Sequence, residues 1–419
     1  MSIIPTDWIS RSVLPRAAAA PAMPRSTRER LQATLRRNQE ALSPRALRKT
    51  LGELKAIVDP AVSEVEGGRR ARSFADWYAG ASIEERRDCW LLMSEQFVLD
   101  QEKAQAAQAE YAAAVGTPDQ AVAEVRLRRA TVSPRRRILQ RFSVLPDGIR
   151  FLVDMRAEML PFLKSDKRLQ ALDVEMEYMF STWFDVGFLE LRRISWDSPA
   201  SLVEKLIKYE AVHDIRSWAD LKNRLDSDRR CYGFFHPRLQ DEPLIFVEVA
   251  LMDEVASGIT PLLDETAAPA DLDKATAAIF YSISNTQAGL RGVSFGDSLI
   301  KRVVETLKDE FPRLKTFATL SPIPGLRSWL AKNAPEELLK ELDDPLALPP
   351  KAQARAQLLG WAARYLGKEL QDGKPPDPVA RFHLGNGARV ERLNWAGDPS
   401  PKGQKQSYGL MVNLSLIHI

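Results

Sequence analysis

The texture of this sequence changes once, near Phe184, and that change constrains the fold more than any other feature. Before it, nearly every start signal is helical. Ser43-Pro44, Thr117-Pro118 and Ser133-Pro134 each place a capping side chain beside a proline at the first helical position. Ser82 and Glu85 have capping-box spacing ahead of the apolar positions Trp90, Leu91, Leu92 and Phe97. Residues 101–115 are rich in Ala, Gln and Glu, which are strong helix formers. A further helix is predicted after Ser165, through Leu169, Leu172, Val174, Met176 and Met179. No fixed-period repeat runs through this half, so a bundle is expected rather than a solenoid, with Trp77 and Tyr111 in its core. Nothing here sets a nucleophile beside a base, so its expected role is packing and oligomerisation.

After Phe184 the pattern turns mixed. Ser198-Pro199 and Ser217 open helices, while residues 231–235 and 243–250 read as strands joined by a polar loop, 236–242. Residues 277–284 form a third strand, 297–310 an amphipathic helix with Leu299, Ile300, Val303, Val304 and Leu307 on one face, and 315–320 a fourth strand. A helical insertion over 325–370 and a strand pair, 389–395 and 408–414, complete the pattern. The expected fold is therefore an α+β two-domain chain: an all-α helical bundle over residues 29–183, then an α/β domain over 184–419. Residues 1–28 form an arm with four arginines, four prolines, one acid and the run 17–20 of alanines. That composition resembles a transit peptide, but the reading it favours is a flexible, disordered arm.

Composition then excludes whole classes of function. Hydrophobic residues make up 45% and charged residues 27%, the balance of a soluble protein. A net charge of +3 is too small for a dedicated nucleic-acid binder. No apolar run approaches the roughly 18 residues that a membrane span needs. Two cysteines, Cys89 and Cys231, cannot build a disulfide framework, which points to a reducing, cytoplasmic setting. The four histidines lie at no metal-ligand spacing, so no metal site is expected.

The sharpest local signal lies between the third strand and its helix, over Arg291, Gly292, Val293, Ser294, Phe295, Gly296 and Asp297. A glycine-bearing turn feeding a helix offers free backbone N–H groups and the positive end of the helix dipole to a phosphate. Gly292 and Gly296 allow close approach, and Arg291 adds a bidentate donor. The spacing is neither Walker A nor the dinucleotide fingerprint. It is similar to the R/Q-x-x-G-x-G/A loop of GNAT-type acetyltransferases, with Ser294 in place of the middle glycine. Two further residues stand out. Ser321, fixed by Pro322 and Pro324, follows the fourth strand, where α/β folds place chemistry, although its motif is also that of a helix N-cap. His383 reads as a loop residue beside Asn386-Gly387, and is either a general acid with a pKa near neutrality or the cap of a turn.

Taken together, Ala278 to Ser284, Gly292-Val293, Leu299 to Val304, Leu320 to Gly325, Phe382-His383, Asn386-Gly387-Ala388 and Asn394-Trp395 closely resemble the malonyl-CoA decarboxylase family. The resemblance implies a helical domain followed by a GNAT-like α/β catalytic domain, assembled as a homotetramer. It implies conversion of malonyl-CoA to acetyl-CoA and CO2, with no cofactor beyond the coenzyme A of the substrate. Ser321 and His383 fall on the family's catalytic Ser and His, and residues 291–297 on its malonyl-CoA loop. Two features depart from the family: some relatives carry Gln at the place of Arg291 and Glu at that of Ser294, and residues 415–419 lack the family's aromatic ending and any peroxisomal signal. An acyltransferase on the same fold and a non-catalytic malonyl-CoA sensor are the competing readings.

Overall fold

The structure is a computed structural model that describes residues 41–59, 61–293, 298–343, 345–349 and 352–416. It divides into two compact units, the first made of the described residues up to Phe142 with Phe162–Leu172, the second of Ser143–Pro161 with the chain from Asp173 onward.

The first unit is helical throughout its described residues. Helices α1 (Pro44–Val58), α2 (Glu64–Gly80), α3 (Ile83–Gln96), α4 (Gln101–Ala114), α5 (Gln120–Ala130) and α6 (Pro134–Ser143) follow in order. Ser43 caps α1, and Ser82 with Glu85 closes the expected capping box on α3. The cap at Thr117 is displaced: Asp119 takes the position and α5 begins at Gln120. The core gathers Phe74, Trp90, Met93 and Phe142, and the Trp90 indole N–H donates to the Tyr78 hydroxyl at 2.8 Å. Trp77, expected in this core, is 38% exposed. Phe74 and Tyr78, one helical turn apart, face the core instead, and Trp77 lies at the edge of that face.

The second unit opens with α7 (Gly148–Met159) and takes most of α8 (Gln170–Trp183). Strand β1 (Glu190–Ile194), α9 (Ala200–Tyr209) and α10 (Trp218–Arg224) lead into β2 (Arg229–His236) and β3 (Leu239–Met252). The predicted polar loop 236–242 shrinks to a tight turn, since β3 begins at Leu239. Strand β4 (Ala277–Asn285), helix α11 (Ser298–Glu310), β5 (Thr316–Thr319) and β6 (Ser321–Pro322) come next. Then α12 (Leu326–Asn333), α13 (Glu336–Glu341), α14 (Gln353–Gly367) and α15 (Pro378–Gly385) precede β7 (Arg389–Asn394), α16 (Pro401–Ser407) and β8 (Met411–Ser415).

Among the described residues the sheet runs β1-β2-β3-β4-β5-β8-β6, with β7 beside β8. Its pairs are antiparallel except β4 with β5, which need the crossover helix α11 between them. That crossover fixes the site: the turn from β4 into α11 and the end of β5 lie at the same edge of the sheet. Leu206, Leu221, Cys231, Phe235 and Phe246 bury α9 and α10 against the antiparallel strands. Ile279, Tyr281, Ala318, Leu320 and Met411 form a second cluster where β4, β5 and β8 meet. The described residues give the expected layout, a helical N-terminal region followed by an α/β domain built on a mixed sheet.

Candidate active site

The turn that leaves β4 is anchored from below. Gln287 donates from its amide to the carbonyl of Pro243 at 3.2 Å, and its Oε1 accepts from Arg150 at 2.6 Å. Arg156, on α7 and only 1% exposed, directs its Nη1 at two backbone carbonyls, Gly289 and Arg291, each at 2.8 Å. Its Nε donates to Asp173 at 2.7 Å and its Nη2 to Glu177 at 3.3 Å. A planar guanidinium can serve four acceptors in this way, whereas an ammonium cannot. At Gly289 a Cβ would overlap the carbonyl of Val153, so only glycine lets the turn lie on α7. Gly292 has φ +85, a left-handed conformation that glycine adopts without strain. The Arg291 side chain is exposed beside Gly292 and the buried Val293. Ser294, Phe295, Gly296 and Asp297 lie outside the described residues.

Ser321 forms the short strand β6, opposite Val412 of β8. It is 6% exposed, and its hydroxyl donates to Thr319 Oγ1 at 2.8 Å. That oxygen also accepts from the Leu414 N–H at 3.2 Å. The proton of Ser321 is thus committed to Thr319 while the lone pairs of its oxygen remain available. The helix-cap reading of Ser321 fails, because the N-cap position of α12 is Gly325.

His383 is not in a loop. Asp377 accepts from Val379 and Ala380 and starts α15 with Pro378 at its first position, which carries His383 into the last helical turn. His383 is 3% exposed, and its Nδ1 is buried with no hydrogen-bond partner. Burial lowers its pKa to about 4, so the expected value near neutrality gives way to a neutral imidazole. No hydrogen bond joins the Ser321 and His383 side chains among the described residues. Their elements are nevertheless linked, because Asp377 Oδ2 accepts from the Gly325 N–H at 3.2 Å. Ser321 also borders β8, whose Val412 faces it on one side and, on the other, Leu393 of β7, the strand that follows the His383 helix.

Three supporting residues, Arg156, Gly289 and Asp377, were not singled out by sequence reasoning. Asp377-Pro378 carried the same cap signature as Ser43-Pro44, hidden in a proline-rich stretch. Arg156 and Gly289 gave no local signal.

Comparison with known proteins decides the family. A model of the malonyl-CoA decarboxylase C-terminal domain matches residues 187–417, and one of the N-terminal domain matches residues 97–184. The chain belongs to the malonyl-CoA decarboxylase family. It is 36% identical to the mitochondrial malonyl-CoA decarboxylase of the goose Anser anser anser, over 70% of this chain and 65% of that protein. The rat protein of the same name is 37% identical over 70% of this chain and 67% of its own length. The chain thus spans about two thirds of these curated relatives. The solved malonyl-CoA decarboxylase of Rhodopseudomonas palustris is similar at 41% identity and a TM-score of 0.79, over 89% of this chain and 94% of that one. That of Agrobacterium vitis gives 41% and 0.80, over 88% and 94%. No helix among the described residues is long and apolar enough to cross a membrane.

Proposed function

We propose that this protein is a carboxy-lyase that converts malonyl-CoA to acetyl-CoA and CO2. The observation that carries this reading is that a buried Ser321 and a buried, neutral His383 lie on elements tied together by the Asp377–Gly325 hydrogen bond, beyond the end of β5. Loss of CO2 breaks the bond between C2 and the carboxylate and leaves its electron pair on C2. The pair delocalises onto the thioester oxygen, so the thioester itself acts as the electron sink and no separate cofactor is required. The protein must steady the growing oxyanion, hold the carboxylate out of the carbonyl plane and protonate C2.

Ser321 takes the first task. Turning its proton from Thr319 to the thioester oxygen exchanges one hydrogen bond for another, at a net cost on the order of 1 kcal/mol. His383 delivers the proton. A neutral imidazole in a dry pocket is a poor acid by itself, but the negative charge of the bound malonyl group raises its proton affinity as it enters. Arg291 and the turn held by Arg156 supply the contacts to the coenzyme A phosphates, with the amides of 292–297 completing the loop.

Two further readings go with the same proposal. Apolar side chains on the helical unit, Val98, Val115, Val122 and Val125, are each about half exposed and suit assembly into a homotetramer. The free and buried Cys89 and Cys231 suit a cytoplasmic location. The test of the activity is acetyl-CoA formation from malonyl-CoA by the purified protein with no acyl acceptor present. Turnover only with an acceptor amine would make it an acyltransferase, and tight binding without turnover would make it a sensor. Sedimentation at micromolar concentration tests the assembly.

A further inference from the structure

Asp377 is 1% exposed, and its carboxylate serves two separate elements. Oδ1 accepts from the N–H groups of Val379 at 3.0 Å and Ala380 at 3.1 Å, capping the helix that carries His383. Oδ2 accepts from the N–H of Gly325 at 3.2 Å, at the end of the turn that begins with Ser321. Other helices are capped by exposed side chains, hydroxyls at Ser43 and Ser82 and a carboxylate at Asp100. Capping with a buried carboxylate is far more costly, because the charge loses its water and, although Arg381 offsets part of that loss, no direct ion pair among the described residues compensates it. A cap alone does not require that expense. What the carboxylate adds over a hydroxyl is a second acceptor pointing the other way.

We propose that Asp377 is a positioning residue for the decarboxylation: by accepting from both elements at once, its carboxylate sets the distance between the Ser321 turn and the His383 helix. This rests on the roles given above to Ser321 and His383. It acts on geometry, not on the substrate, and a displacement of about 1 Å at reacting groups is enough to cost up to a hundredfold in rate.

Asp377→Asn separates the two functions of the side chain. The amide oxygen caps a helix about as well as a carboxylate oxygen. Its NH2 then meets the Gly325 N–H, donor against donor, and the link to the Ser321 turn is lost. The expected result is a kcat lower by about ten- to a hundredfold, with KM for malonyl-CoA within about twofold and a melting temperature close to wild type. In a His383→Ala background the same substitution should change kcat by less than about twofold, because the group it positions is gone. Wild-type kcat in Asp377→Asn would overturn the proposal, and so would an equal fold-loss in both backgrounds. If Asp377→Asn does not fold, Asp377→Ser, which keeps a cap but is too short to reach Gly325, is read against the same criteria. Normal turnover in His383→Ala alone would instead remove the catalytic assignment on which the proposal stands.

Discussion

The guanidinium of Arg156 donates to the backbone carbonyl of Arg291 at 2.8 Å, so a residue of α7 holds the first residue of the proposed coenzyme A loop by its main chain. The same group binds Gly289, Asp173 and Glu177. Arg156→Lys keeps the charge but loses the fork, leaving at least one buried carbonyl without a donor. The expected outcome is a KM for malonyl-CoA raised by about tenfold with kcat nearly unchanged, since phosphate contacts are made alike in the ground and transition states. Steady-state kinetics decide it: a collapse of kcat at constant KM would detach Arg156 from substrate binding.

Gly289 tests the same anchor from the other side. Its missing Cβ lets the turn rest on the Val153 carbonyl, and backbone cannot move aside as a flexible side chain can. Gly289→Ala should therefore cost about 1–3 kcal/mol or more in unfolding free energy and raise KM as well. Gly68, inside α2 with nothing within 4 Å of a Cβ position, is the control. Gly68→Ala should stabilise by up to about 1 kcal/mol, because glycine is the poorer helix former. Urea denaturation of the two variants should move in opposite directions.

These anchors show what the sequence could and could not reveal. Capping signals at Ser43, Ser82 and Ser217 act within a few residues, and each was legible and is present. The strands around Phe234, Val247 and Phe280 were legible because they are apolar runs with β-branched and aromatic content. Ser321 and His383 each stand out by local motif, but their pairing comes only from the family pattern, since the 61 residues between them fold largely into helices of their own. Arg156 was illegible: its four acceptors come from two segments more than a hundred positions apart in part, and no local pattern encodes that convergence. The histidine's surroundings were illegible for the same reason, as burial is a property of the assembled fold.

The buried imidazole has a consequence for stability. With the pKa of His383 lowered from 6.5 to about 4, the folded protein stays neutral at this site while the unfolded chain takes up a proton. The unfolded state therefore binds more protons between these values, and stability falls as pH drops from 6.5 towards 4, by an amount on the order of 3 kcal/mol. His213, also lowered to about 4 by burial, contributes with the same sign. Glu248, raised to about 8 by burial, has the opposite sign, its contribution being lost as pH rises through that value. Comparing wild type with His383→Gln at each pH cancels these shared terms. The stability of wild type relative to the variant should decline steadily between pH 6.5 and 4, as measured by urea midpoints. A pH-independent difference would mean that the imidazole is not held neutral in the fold.

The hydroxyl of Ser321 donates to Thr319 and, in the proposed mechanism, turns to the substrate, which gives Ser321→Ala a signature of its own. The substitution removes a donor to Thr319 but leaves that oxygen bonded to the Leu414 N–H, so stability should change by about 1 kcal/mol or less. If the hydroxyl steadies the oxyanion, kcat should fall by about 10²–10³-fold, the usual loss for one such donor. His383→Ala, removing the proton donor, should fall by about 10²–10⁴-fold while malonyl-CoA still binds. If both side chains act on one transition state, as proposed, the double variant should be little slower than the slower single variant. The decisive measurement is kcat for all three beside their melting temperatures. Losses that multiply would mean that Ser321 and His383 act independently, and near-normal turnover in either single variant would remove that residue from the mechanism.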